Sequence, residues 1–275
     1  MGIPGCQWQG REAFRLKQGK KTNQVESGQV IQPHQIPRMV ALLGKAMVLA
    51  LLMLAPLAHG QSVCSSDEQP VPTVLLERFI NADCDVCWSD PRTTLAPPGA
   101  LALDWIVPGR LGEDAALSTA ASRDALIRLD ALRLERPDTR MQAQTDVTAW
   151  PGARLRVAHG VAVGEYVGAS IELTLPQGVL PETPWQAWLV LVETLPLGLE
   201  GSPVPRNLVR NVLQPLWDKH SMLSNSVLIN FKETRPMNIP AGANAKRLRV
   251  VGWVQDSQNR VRIVSQSFCL ATDKD

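Results

Sequence analysis

Residues Thr73–Trp88 read TVLLERFINADCDVCW, and the fold reading starts from them. The first eight residues are rich in β-formers and of strand length. Asn81-Ala82-Asp83 is turn chemistry, and Asn81 or Asp83 can cap a helix opening at the cysteines. That helix is expected to run to about Ala96, kinked at Pro91 and ended by Pro97-Pro98-Gly99. Ala100–Val107 (ALALDWIV) reads as a second, buried strand stopped by Pro108-Gly109. Between Asp114 and Arg136, Leu126, Leu129 and Leu132 fall at i, i+3 and i+6 beside Ala121 and Ala125, and Pro137 closes this amphipathic helix. The order is strand, CxxC, helix, strand, helix.

After Trp150-Pro151-Gly152 the texture changes. Arg154–Val157 and Ala169–Leu175 alternate apolar and polar residues, and Trp188–Thr194 is a continuous strand-like run. Asn207–Trp217 suits a short helix or a strand, with Pro215 opposing a long helix. Leu248–Gln255 and Val261–Phe268 flank Asp256-Ser257-Gln258-Asn259, a hairpin turn. Short strands separated by Pro- and Gly-bearing turns predict a β-sandwich-like domain over 151–275.

The charge balance divides the chain differently. Of 28 Lys+Arg and 26 Asp+Glu, residues 1–60 hold seven basic groups and two acidic ones. The segment 61–275 therefore carries a net −3, which excludes the basic excess expected of a nucleic-acid partner. Ala46–Leu57 is a twelve-residue apolar stretch behind Lys45, followed by Ala58-His59-Gly60 with small residues at −3 and −1. This is the layout of a secretory signal peptide cut before Gln61, and it is short for a membrane helix. Residues 1–60 are thus expected to be an upstream segment and leader. The rest is expected in the periplasm or secreted, with no integral membrane span after cleavage.

Export leaves four cysteines, Cys64, Cys84, Cys87 and Cys269, which in an oxidising compartment read as two disulfides. Three pairings are possible; the CxxC favours Cys84 with Cys87 and leaves Cys64 with Cys269. A CxxC after a buried strand and at a helix start is also a thiol-exchange arrangement. The helix N-terminus favours a Cys84 thiolate as nucleophile, and Cys87 stands close enough to resolve a mixed disulfide. Glu77, on the strand expected beneath Cys87, is a candidate general base, with a solvated glutamate as the plain alternative. Asp83 and Asp85 disfavour a thiolate beside them and point to a low-potential or permanently oxidised pair. Metal binding by Cys84, Cys87 and a histidine is a third possibility, for which His159 and His220 are available without a recognisable ligand spacing. No GxSxG, P-loop, dinucleotide fingerprint or HExxH is present, and no cofactor is expected. Trp88, directly after the CxxC, is the tryptophan expected beside a site.

Leu76-Glu77-Arg78-Phe79 followed by Cys84-Asp85-Val86-Cys87 resembles the opening of a family of secreted, functionally uncharacterised bacterial proteins with a thioredoxin-like fold. Pro205-Arg206-Asn207-Leu208-Val209-Arg210 resembles an Arg-Asn-Val-Val-Arg-like stretch in the second half of those proteins. The resemblance implies an α+β chain, with a thioredoxin-like α/β unit over 61–150 ahead of the β-rich domain at 151–275. In that fold a cis-proline loop faces the CxxC, and Trp150-Pro151 is its best counterpart here, with a plain Pro-Gly turn as the equally good alternative. The function then expected is thiol–disulfide exchange at Cys84 and Cys87 with protein thiols or disulfides of the cell envelope as partners. The alternatives are a non-catalytic envelope binding or assembly protein with a static CxxC disulfide, and a copper- or zinc-handling protein.

Overall fold

The computed structural model describes residues 64–179, 184–217, 222–224 and 228–269. They fall in one compact unit, Ala58–Asp275. The proposed leader and His220 lie outside the described residues. Among the described residues thirteen strands occur in the order Cys64–Ser65 (β1), Val74–Asn81 (β2), Ala100–Val107 (β3), Arg140–Asp146 (β4), Arg154–Val163 (β5), Tyr166–Pro176 (β6), Trp185–Leu195 (β7), Arg206–Leu213 (β8), Met222–Ser224 (β9), Leu228–Asn238 (β10), Leu248–Asp256 (β11), Val261–Gln266 (β12) and Phe268–Cys269 (β13). The α-helices among the described residues are Asp85–Trp88 (α1), a single turn, and Arg123–Leu132 (α2).

Two sheets form. One runs β13-β1-β5-β6-β10-β9 and is antiparallel throughout; the other runs β12-β11-β7-β8-β3-β2-β4. In the second, β2–β3 and β3–β8 are parallel pairs and the rest antiparallel. Leu155, Val157, Ile171 and Leu173 of the first sheet pack with Leu189, Leu191, Val250 and Val254 of the second. At this seam Gly252 of β11 has no side chain to spare, since a Cβ there would stand 2.6 Å from Val157 Cγ1 and 2.9 Å from Ile171 Cδ1. The opposite face of the seven-stranded sheet carries Phe79, Trp105, Trp188, Val190 and Trp253 and is covered by Ala125 and Leu129 of α2. Ser122 caps α2 by accepting from the Asp124 N–H, and Arg133 closes it in the left-handed region at φ 57°.

The expected α+β class with a thioredoxin-like unit does not hold. The helix expected from the CxxC to Ala96 is one turn, because the chain turns again at once: Asp90 O accepts from Thr93 N, and Asp90 Oδ1 from Arg92 N. Nor do 61–150 and 151–275 form separate units. The first contributes β2, β3 and β4, and the second β7, β8, β11 and β12, to one continuous sheet joined at β3–β8. Local periodicity locates strands well but is silent about which distant strand completes a ladder. Trp150-Pro151 is no cis-proline loop: among the described residues every peptide bond is trans. Trp150 O accepts from Ala153 N in a plain turn, and the Trp150 ring packs on the inter-sheet core.

Candidate functional site

The connection from β2 to β3 crosses the face of the seven-stranded sheet that its β7–β11 part presents to the second sheet, so residues 82–99 act as a strap over β2, β3 and β8. Cys84 and Cys87 are joined in a disulfide across α1. Cys84 is partly buried; Cys87 and Trp88 are buried with Ile80, Ile106 and Leu208. Asp83 does not cap α1. Its carboxylate accepts from the backbone N–H groups of Arg110 (2.7 Å) and Leu111 (3.2 Å), closing the loop after β3. Gly109 is required there, because a Cβ would collide with that carboxylate. With one turn of helix and no side-chain cap, α1 offers little macrodipole to a thiolate.

Strand alternation decides where the charged residues of β2 go. Leu75, Glu77 and Phe79 point to the α2 face, while Arg78 and Ile80 point to the strap. Glu77 is therefore on the far side of the sheet from Cys87. It is buried and fully engaged: its carboxylate accepts from Arg128 Nε (2.8 Å) and Nη2 (2.7 Å) and from Trp105 Nε1 (3.1 Å). Arg128 itself donates to Gln255 Oε1 at 2.7 Å and lies 4.9 and 5.0 Å from the ring centroids of Trp188 and Trp253. The general-base role expected of Glu77 has no geometry to support it.

What faces the strap instead is a set of arginines. Arg78 sits opposite Gln142 on β4 and beside Asp104 on β3, and Asp104 in turn pairs with Leu208 on β8. Asp104 is fully buried and accepts from Arg206 Nη1 at 2.6 Å and from Arg78 Nη1 at 3.3 Å. Burial pushes the Asp104 carboxyl up from the ordinary aspartate value, and the Arg206 and Arg78 guanidiniums oppose that shift. Arg206 also donates to Ser202 Oγ and to Trp88 O, each at 2.7 Å, and stacks 4.3 Å over the Trp88 ring. Arg78 Nη2 donates to Thr94 O at 3.0 Å. The two arginines thus hold the strap by its backbone. At its outer edge Asp90 pairs with Arg92 (3.0 Å) and Arg140 (2.8 Å), which hold its carboxyl down at about 2, the Arg92 side-chain bonds being the larger cause.

Between strap and sheet lies a cavity of about 270 Å³ lined by Arg78, Arg92, Arg140 and Arg206, with Cys87 and Thr94 in its wall. Sequence reading passed over these four residues. Arg78 was hidden beside Glu77, and Arg206 stood in a quoted stretch, Pro205–Arg210, without a role. Only the pairing of β2, β3, β4 and β8 brings them together. Trp88 is where it was expected, beside the disulfide, with its Nε1 donating to Glu200 O at 2.9 Å.

The second disulfide joins Cys64 to Cys269 across the β1–β13 ladder. His159 is the register partner of Cys64 on β5, so the one histidine among the described residues adjoins this bridge and not the CxxC. Its Nδ1 lies 2.9 Å from Gly160 O, and burial holds the imidazole below its ordinary value. Among the described residues, no helix is long and apolar enough to cross a membrane. Comparison with family models, with curated proteins and with solved structures finds no match to this chain.

Proposed function

We propose that this is an exported, non-catalytic binding protein of the cell envelope, in which Cys84–Cys87 is a fixed staple of the strap over an arginine-lined cavity. The observation that carries this reading is the position of the disulfide. Cys87 forms part of a cavity wall on a strap tied to the sheet by Arg78 and Arg206 and to the loop after β3 by Asp83, and the carboxylate needed as a base is consumed by Arg128 on the other face. A strap held at three points resists the opening that attack on Cys84 requires. The short closed loop adds little to stability by chain entropy, about 2 kcal/mol, so its use is local: it fixes the shape of one turn. Export is supported by the leader-like segment ahead of Gln61, and two disulfides suit an oxidising compartment.

One observation favours thiol–disulfide exchange as a second reading: Cys84 is the more exposed of the pair and Cys87 the buried one, the asymmetry an attacking and a resolving cysteine need. The experiment that separates the two is incubation of the native protein with glutathione, followed by alkylation and mass measurement, alongside insulin reduction. The binding reading expects Cys84–Cys87 to stay oxidised and insulin to stay intact. Insulin turnover that disappears in Cys84→Ser overturns it.

A further inference from the structure

We infer that the cavity under the strap is a binding site for a small dianionic ligand, recognised through its oxygen atoms by Arg78, Arg140 and Arg92. The inference rests on the binding reading above and gives it a ligand class. The charge count is direct. Four guanidiniums line the cavity, and among the described residues two carboxylates pair with them, Asp104 behind the floor arginines Arg78 and Arg206 and Asp90 with the rim arginines Arg92 and Arg140. Each carboxylate is shared by two arginines, so floor and rim each retain one uncompensated positive charge.

The floor charge is buried. Arg78 is 5% exposed, its contacts to Asp104 are long at 3.3 Å, and its Nε–H is buried without a partner. A buried guanidinium donor without an acceptor is costly, and with the long contacts to Asp104 it leaves the Arg78 charge under-compensated beside the cavity that its side chain lines. Arg206 is already satisfied by Ser202, Asp104 and Trp88, and so contributes field rather than contacts. Burial pushes the Arg206 guanidinium down; Asp104 opposes this, and the neighbouring charges of Arg78 and Arg140 push it further down. Three like charges converge on one space, the condition an anion relieves.

Size and access set the class. A space of about 270 Å³ is just below the usual range for organic ligands, so it suits a phosphate group or a short dicarboxylate. Arg140 is one-third exposed and Arg92 largely exposed, which leaves the rim open to solvent and places two flexible forks at the mouth. Gln142, the cross-strand partner of Arg78, also stands in the cavity wall and offers a neutral amide.

The test is calorimetric titration of the purified protein with inorganic phosphate and, separately, succinate, at matched ionic strength with chloride as the control. Saturable binding of one anion per chain is expected, and the tighter of the two names the source. Arg140→Gln, a partly exposed position that leaves the buried pairs intact, is expected to weaken binding at least about tenfold by removing a charged hydrogen bond. Arg92→Gln is expected to weaken it less. No saturable binding of either anion, or binding unchanged in the Arg140→Gln/Arg92→Gln double variant, overturns the site. The disulfide assay on the same sample keeps the two claims apart. An inert disulfide without anion binding refutes the site alone, and anion binding with insulin turnover refutes the fixed staple alone.

Discussion

Glu77→Gln separates a structural carboxylate from a catalytic one. The substitution keeps shape and removes charge, so Arg128 is left as a buried cation whose Nε and Nη2 lose their ionic acceptor. Arg128 is fully buried, and its remaining contacts are Gln255 Oε1 and the faces of Trp188 and Trp253. Breaking one side of a buried, hydrogen-bonded ion pair costs about 3–5 kcal/mol. For a domain of this size each kcal/mol moves the melting temperature by about 2–4 °C, so the expected fall is roughly 6–20 °C. Replacing both partners, as Glu77→Leu with Arg128→Met, is expected to restore most of the loss, because no uncompensated charge then remains. Urea and thermal unfolding followed by tryptophan fluorescence measure both, with Trp105, Trp188 and Trp253 packed around the pair as reporters. A catalytic base gives the opposite pattern: stability within about 0.5 kcal/mol of the parent, the scale of a neutral surface change, together with loss of thiol exchange. That result would refute the assignment of Glu77 to the core.

The two disulfides are expected to contribute unequally. Cys64–Cys269 closes a separation of 205 residues, worth up to about 5 kcal/mol in the chain-entropy account, so Cys64→Ser/Cys269→Ser should lower the urea midpoint far more than Cys84→Ser/Cys87→Ser; the reverse ranking would contradict it. His159 gives an acid limb. Burial lowers its folded value below 6.5, so the unfolded chain takes up the proton first as pH falls, and the contribution of the neutral ring is present above 6.5 and lost below it. Urea midpoints measured across that window should fall with pH, and the slope should shrink in His159→Gln; an unchanged slope would show that another group titrates.

Strands were legible where both faces are apolar or one face alternates. The reading Ala100–Val107 coincides with β3, and Thr73–Ile80 is one residue off β2, because seven buried residues in a row can be satisfied only inside a sheet covered on both faces. The edge strand β4, Arg140–Asp146 (RMQAQTD), was illegible: it is polar on its outer face and only partly buried on the other. β10 was hidden by Lys232, Glu233, Arg235 and Pro236 in a strand of eleven residues. Both strands are held by a neighbour's ladder and not by their own propensity. The disulfide partners could be narrowed from spacing alone. The arginine cavity could not, since its residues come from β2, the strap, β4 and β8, and no spacing within the chain links them.

The register of β2 also explains why the cavity is cationic. Side chains on a strand alternate, so Glu77 and Arg78 are committed to opposite faces, and each meets an opposite charge there: Arg128 on the α2 side and Asp104 on the strap side. A one-residue slip would invert both. Glu77 would enter the strap side beside Asp104, and Arg78 would be buried against Arg128. The Glu77–Arg128 and Arg78–Asp104 ion pairs would both be lost from a low-dielectric interior. The sheet is therefore pinned by electrostatics at a strand where apolar alternation is weak, since β2 is buried on both faces and apolar pattern alone distinguishes them poorly. The same pinning sends the only carboxylate of β2 away from the strap. Among the described residues Asp104 is then the one carboxylate paired with Arg78 and Arg206, and the positive surplus there follows from the register that the Glu77–Arg128 pair enforces.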